Sequence, residues 1–220
     1  VGSEMCIRDR FKLHPFIVTL ATQLITYGVL LLYIMINGNN GQPLSGLDNS
    51  FKNFVTGSLV KFFGVPIPNY VWYAIIMIAF MWFMWNKTTF GKNMFAVGSN
   101  PEAANVSGVS VFWTTIAVHT LAGCMYGITG FIESARIGSN QANTGLNYEC
   151  DAIAACVIGG VSFVGGTGKI SGIVLGVFIL RIIFVALQFL SINQSMQYII
   201  KGLIILVACS IDMRKYLVRK

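Results

Sequence analysis

Val111 to Ile132, VFWTTIAVHTLAGCMYGITGFI, runs for 22 residues without an acidic or basic charge. As a helix rising 1.5 Å per residue it reaches about 30 Å, the thickness of a bilayer's hydrocarbon core. The whole chain has the same character: 55% of its 220 residues are hydrophobic and 10% charged, with a mean hydropathy of +0.70. A soluble domain of average composition is far less apolar. The expected fold class is therefore an all-α integral membrane protein.

Four more apolar stretches flank that run. Phe16 to Ile36 carries no charge in 21 residues, and Tyr70 to Trp85 is shorter but keeps Tyr70, Trp72, Tyr73, Trp82 and Trp85 towards its ends, as interfacial anchors do. Ile170 to Leu190 and Gln197 to Ile211 are interrupted by Arg181 and Lys201 respectively. A sixth segment, Asp151 to Val164, is short and broken by Gly159 and Gly160. Short, glycine-broken segments often lie beside a transport pathway, where protein or water shields irregular backbone.

Six passes put both ends on one side, and charge chooses it. Lys12, Lys87, Lys92, Lys169, Arg214, Lys215, Arg219 and Lys220 fall on one face, against Lys52, Lys61 and Arg136 on the other. The richer face is cytoplasmic. The carboxyl terminus and the loop Asn86 to Ser110 are thus expected inside, and Asn37 to Asn69 outside, with an amphipathic helix over Ser50 to Phe63. The net charge of +7 follows from this topology. It is scattered through loops and ends rather than gathered on one face with aromatics, so it implies no nucleic-acid partner.

The inner loop, NKTTFGKNMFAVGSNPEAANVSGVS, contains a short helix written in capping residues. Asn100 can accept the first free amides, Pro101 suits the first helical position, Glu102 faces the positive dipole end, and Gly108 can close the helix in the left-handed region. Two turns are marginal alone, so the helix needs a surface. That surface is its own protein, lipid headgroups or a cytoplasmic partner.

Residues 1–10, VGSEMCIRDR, fit neither a signal peptide nor a span and read as a non-native artefact, Cys6 included. Cys124, Cys150, Cys156 and Cys209 lack metal-like spacing and suit apolar packing. Gly168, Gly172 and Gly176 recur every four residues, as do Gly123 and Gly127, a spacing that lets membrane helices approach closely. The run GGVSFVGGTGK, Gly159 to Lys169, is not a phosphate loop: Phe163 stands where the first glycine belongs and Ile170 where Ser or Thr should follow the lysine. ATP-driven work would need another chain.

Ionisable groups inside spans are costly. His119 has no second ligand at metal spacing and reads as a hydrogen-bonded packing residue. Lys201 can snorkel from the outer end of the last span, whereas Arg181 is mid-span and needs a partner; Glu133, Glu149 and Asp151 are the candidates. No nucleophile elbow, zinc signature or carboxylate pair supports hydrolysis. An ion-driven transporter would need an acidic site within a span, which the sequence does not offer.

Three blocks, TTFGKNMFAVGSNPEAANVSGVSV, NYECDAIAACVIGGVSFVGGTGKISG and QYIIKGLIIL, resemble the permease subunits of bacterial ABC sugar importers of the ribose and galactose group, nearest to its methyl-galactoside branch. The resemblance covers Phe11 to the carboxyl terminus. Family members have about ten membrane helices, so residues 11–220 correspond to their C-terminal two-thirds. Cys150 departs from an expected Leu, and Arg181 from an expected apolar residue.

The resemblance implies function residue by residue. Pro101, Glu102, Ala103, Ala104, Val106, Ser107 and Gly108 match the segment that seats in a cleft of the ATP-binding subunit. Tyr148, Asp151, Gly159, Gly160, Gly165 and Gly166 match the block beside the sugar path. The implied assembly has two permeases, a homodimer here, two ATP-binding subunits that hold the ATP and Mg, and a periplasmic sugar-binding protein, in the bacterial inner membrane. The chain itself would hold no cofactor.

Overall fold

The computed structural model describes residues 15–36, 42, 44–62, 65–141, 143–162 and 165–217. Residues 1–10, expected to be non-native, Lys12, Phe63, Phe163, Val164, Arg219 and Lys220 lie outside the described residues, as do the side chains of Cys209, Arg214 and Lys215. In chain order the elements are α1 (Pro15–Ile36), β1 (Leu44–Ser45), α2 (Asn49–Thr56), β2 (Ser58–Phe62), β3 (Val65–Pro68), α3 (Asn69–Lys87), α4 (Thr89–Ser99), α5 (Pro101–Val106), α6 (Val111–Ile137), β4 (Ser139–Asn140), α7 (Tyr148–Ile158), α8 (Ile170–Phe189) and α9 (Gln194–Leu217).

All six expected segments contain a helix. On length and apolarity, α1, α6 and α8 are sufficient to cross a membrane, and α9 holds a shorter apolar stretch, Ser195–Ala208. The expected pass over Asp151 to Val164 is different: α7 is 11 residues long, about 16 Å, roughly half the hydrocarbon thickness. Gly160, at φ +80°, ends it, with the Val161 amide donating to the Cys156 carbonyl at 3.0 Å. The chain then turns into α8 instead of continuing as a helix.

The chain folds as two compact units, one of residues 1–79 and 112–144 and a second of 80–111 and 145–220. In the first, the segment expected to be an amphipathic helix over Ser50 to Phe63 is half helix and half hairpin. Asp48 caps α2 by accepting the Ser50 amide, Gly57 ends the helix, and β2 pairs antiparallel with β3, Val60 opposite Ile67 and Lys61 opposite Pro66. Extended β-branched Val60 and the prolines of the partner strand suit a short ribbon better than another helical turn. The junction is tied down by polar contacts: the Asn69 amide donates to Gly57 O at 2.8 Å, and the Asn69 side chain and Tyr73 hydroxyl both donate to Phe54 O, at 3.2 and 3.0 Å. Phe51 meets Phe131 of α6 edge to face at 4.9 Å, and Val55 is wholly buried. At the end of α6, Arg136 forms a bidentate pair with Glu133, while β1 pairs with β4, Leu44 opposite Asn140.

The second unit is built on an antiparallel hairpin of α7 and α8. A Cβ at Gly172 would fall on the Gly159 carbonyl and one at Gly176 on the Ala155 carbonyl, so the backbones touch. Further along, Ala154 and Ala155 share a buried core with Leu180 and Phe184, against which Ile205 of α9 packs. The amino end of α7 therefore lies abreast of the later turns of α8, within the length of the span.

Candidate functional site

The loop Asn86 to Ser110 is helical almost throughout. α3 continues to Lys87, and the Thr88 hydroxyl caps α4 by accepting the Gly91 amide at 3.2 Å. Trp85 lies edge to face with Phe95 at 5.5 Å, which folds α4 back against the end of α3. Asn100 then ends α4 and begins α5: its amide donates to Ala96 O, and its side-chain oxygen accepts the Glu102 and Ala103 amides at 3.0 and 3.1 Å. Pro101 occupies the first turn, and Gly108 takes φ +83°, as the capping pattern required.

Only one side of α5 is covered. Ala104 is 4% exposed, whereas Val106 is 90% exposed and Pro101, Glu102, Ala103, Ser107 and Gly108 are all exposed. Val106 is thus an apolar side chain presented openly on the helix that also carries Glu102. Of the seven coupling candidates, Ala104 is the one turned inward.

The six path candidates do not form one cluster. Tyr148 and Asp151 sit in the first turn of α7, which Asn147 enters at φ +67°. Gly159 abuts α8, Gly160 makes the left-handed exit from α7, and Gly165 and Gly166 press on Gly98 and Ser99 of α4. The helix between the groups is 11 residues, so they stand about 16 Å apart.

An ion pair marks the amino end of α7. Lys201 Nζ of α9 lies 2.6 Å from Asp151 Oδ1, outside ideal hydrogen-bond angles, and stands 4.9 Å from the Phe184 ring centroid and 5.6 Å from that of Tyr198. Lys201 thus turns inward instead of snorkelling, and Asp151 is committed to it and not to Arg181. Arg181 is exposed on α8 and makes no ion pair or hydrogen bond among the described residues. Glu133 is engaged by Arg136. His119 Nδ1 lies 2.9 Å from the Thr115 carbonyl one turn back, the satisfied packing role its isolation suggested.

The glycine repeats divide as well. Gly172 and Gly176 are in backbone contact with α7, and Gly168 meets the Val161 side chain, whereas Gly123 and Gly127 face open space.

Residues 5–209 match the family described as branched-chain amino acid transport system, permease component. The chain belongs to this permease family. A permease of this family is a multi-pass protein of the inner membrane. The chain is 47% identical over 206 residues to the galactose/methyl galactoside import permease protein of Escherichia coli K12, covering 94% of this chain and 60% of that one. The protein of the same name from Treponema pallidum is 46% identical, over 96% of this chain and 39% of its own length. The ribose import permease protein of Bacillus subtilis is 35% identical, over 93% and 61%. The chain thus spans about 60% of the length of the first of these permeases. No solved structure matches it.

Two features of this permease escaped the sequence reading. The Asp151–Lys201 pair had a signal in two opposite charges within apolar segments, each costly alone. The contact of Gly98 with the Gly165–Gly166 turn had none beyond the glycines themselves.

Proposed function

We propose that this chain forms part of the membrane subunit of an ATP-driven importer that carries a monosaccharide inward by alternating access, with galactose or a methyl galactoside the first cargo to test. The observation that carries the reading is the 46–47% identity to galactose/methyl galactoside import permeases over nearly the whole chain. A family description naming branched-chain amino acids points to a second cargo class. The ribose and L-arabinose permeases at 35% and 39% identity weigh towards sugars.

In this reading the subunit pairs with a second permease, and the carboxyl terminus and α4–α5 lie in the cytoplasm. α5 seats in an ATP-binding subunit through Pro101, Glu102, Ala103, Val106, Ser107 and Gly108, with Ala104 anchoring the helix from behind. ATP and Mg are held by that subunit, because Gly159 to Lys169 lacks phosphate-loop spacing. The chain is a transport subunit and not an enzyme. Sugar arrives from a periplasmic binding protein, and the path runs along α7, with Tyr148 and Asp151 towards its mouth and Gly159, Gly160, Gly165 and Gly166 shaping its inner end.

The test uses the full-length permease with its partners in vesicles. Ala103→Arg and Val106→Asp should each lower sugar-stimulated ATP hydrolysis and uptake by about tenfold, the scale of losing one central interface contact. Uptake and hydrolysis unchanged in both variants would remove α5 from the coupling surface.

A further inference from the structure

The corner between α4 and α5 meets the turn between α7 and α8 backbone to backbone at Gly98, with the Ser99 side chain against Gly166. A Cβ at Gly98, in the last turn of α4, would stand 3.0 Å from Gly166 N; a Cβ at Gly165 would stand 2.5 Å from Gly98 O. One at Gly166 would strike the Ser99 hydroxyl and stand 2.9 Å from Ser99 Cα. Gly165 and Gly166 also hold φ +98° and +72°, where any side chain adds strain. A Cβ at Gly165 or Gly166 would overlap what faces it, and one at Gly98 would crowd the Gly166 amide.

Each half of the contact is stiffly attached. Ser99 is followed directly by Asn100, whose side chain holds the first amides of α5. On the other side the Ser162 amide donates to Thr167 O at 3.1 Å and the Gly165 amide to Ser162 O at 3.3 Å, closing the turn. The Val161 amide ties the turn to Cys156 of α7, and Gly172 and Gly176 clamp α8 onto the same helix. The α7–turn–α8 hairpin is therefore one packed body, and the end of α4, one residue from the Asn100 cap of α5, meets it at Gly98.

Resting on the reading of α5 as the seat of the ATP-binding subunit, we infer that the Gly98–Gly165–Gly166 contact is the link through which a displacement of α5 reaches α7 and α8. Long side chains between two elements absorb a shift by changing rotamer. Backbones already at van der Waals distance have no such slack, so pushing one moves the other. Gly98, Gly165 and Gly166 act here as positioning residues: they touch neither sugar nor nucleotide and set how far the hairpin follows α5.

The full-length permease, assembled with its ATP-binding and sugar-binding partners in vesicles, separates this link from docking. Co-purification of the ATP-binding subunit reports the seat of α5, and sugar moved per ATP hydrolysed reports transmission. Gly98→Leu should leave co-purification within about twofold and lower sugar per ATP by at least about fivefold, the low end of ordinary coupling between sites. Gly98→Ala, which raises helix propensity in α4, should fold in any case and lower the ratio by about twofold. An unchanged ratio in both variants overturns the link. Loss of co-purification in either also overturns it, because Gly98 would then belong to the docking surface. Failure of the underlying reading is seen separately, as a Val106→Asp variant that still retains the ATP-binding subunit.

Discussion

Asp151 and Lys201 show what a single residue can and cannot announce. Each charge stands out in an apolar segment, and the cost of burying it says that a partner exists. Which partner depends on how α7 lies against α9, and no local pattern encodes that. Lys201 is near enough to a span end to suggest snorkelling, yet the structure places it over the Phe184 and Tyr198 rings and 2.6 Å from Asp151. The pair is mostly shielded, with side-chain exposures of 17% for Lys201 and 33% for Asp151. Removing one member leaves the other charge unanswered, at roughly 1–3 kcal/mol. Lys201→Met and Asp151→Asn should therefore each lower the unfolding midpoint in detergent. The double variant should lose less than the sum of the two, by about 1 kcal/mol. Strict additivity would show the two side chains to be neighbours without coupling.

At the scale of elements, α5 was legible and α4 was not, for one physical reason. The signals that start and stop α5 are short-range: the Asn100 side chain reaches amides two and three residues ahead, and Gly108 supplies a left-handed exit. In α4, Gly91, Asn93, Gly98 and Ser99 dilute helix propensity, and the helix is secured by the Thr88 cap and the Trp85–Phe95 contact, which depend on the fold. The same holds for Ser50 to Phe63, where amphipathic spacing suggested one helix and pairing with Val65–Pro68 turned the second half into a strand. Asn100→Ala should cost α5 about 1 kcal/mol. Since α5 opens locally, amide exchange at Glu102 and Ala103 should speed up about fivefold while exchange in α8 is unchanged. Equal acceleration in α8 would mean that α5 opens only with the hairpin. Gly108→Ala should disturb the same amides, because its φ of +83° strains any residue with a Cβ.

At the scale of the molecule, hydropathy made the membrane character and the helices α1, α3, α6, α8 and α9 readable, since a bilayer-length apolar run has few other uses. The extent of α7 was not readable, because an apolar segment carrying two glycines looks alike whether its helix runs through them or stops at Ile158. Nor could spacing tell which glycine repeat is used within the chain. Gly123 and Gly127 share the four-residue period of Gly172 and Gly176, yet only the latter two are occupied by a neighbouring backbone. Stability should expose the difference. Gly176→Leu would drive a side chain onto the Ala155 carbonyl, and separating α7 from α8 should cost about 3 kcal/mol, the upper range of overpacking. Gly127→Leu meets nothing within 4 Å, and with the helix-propensity gain over glycine it should lie between neutral and about 1 kcal/mol more stable. Unfolding of both variants in one detergent provides the comparison. Equal losses would put another helix against Gly127 as closely as α7 stands against α8. Equal tolerance would mean that the backbone contact at Gly176 does not hold the hairpin together.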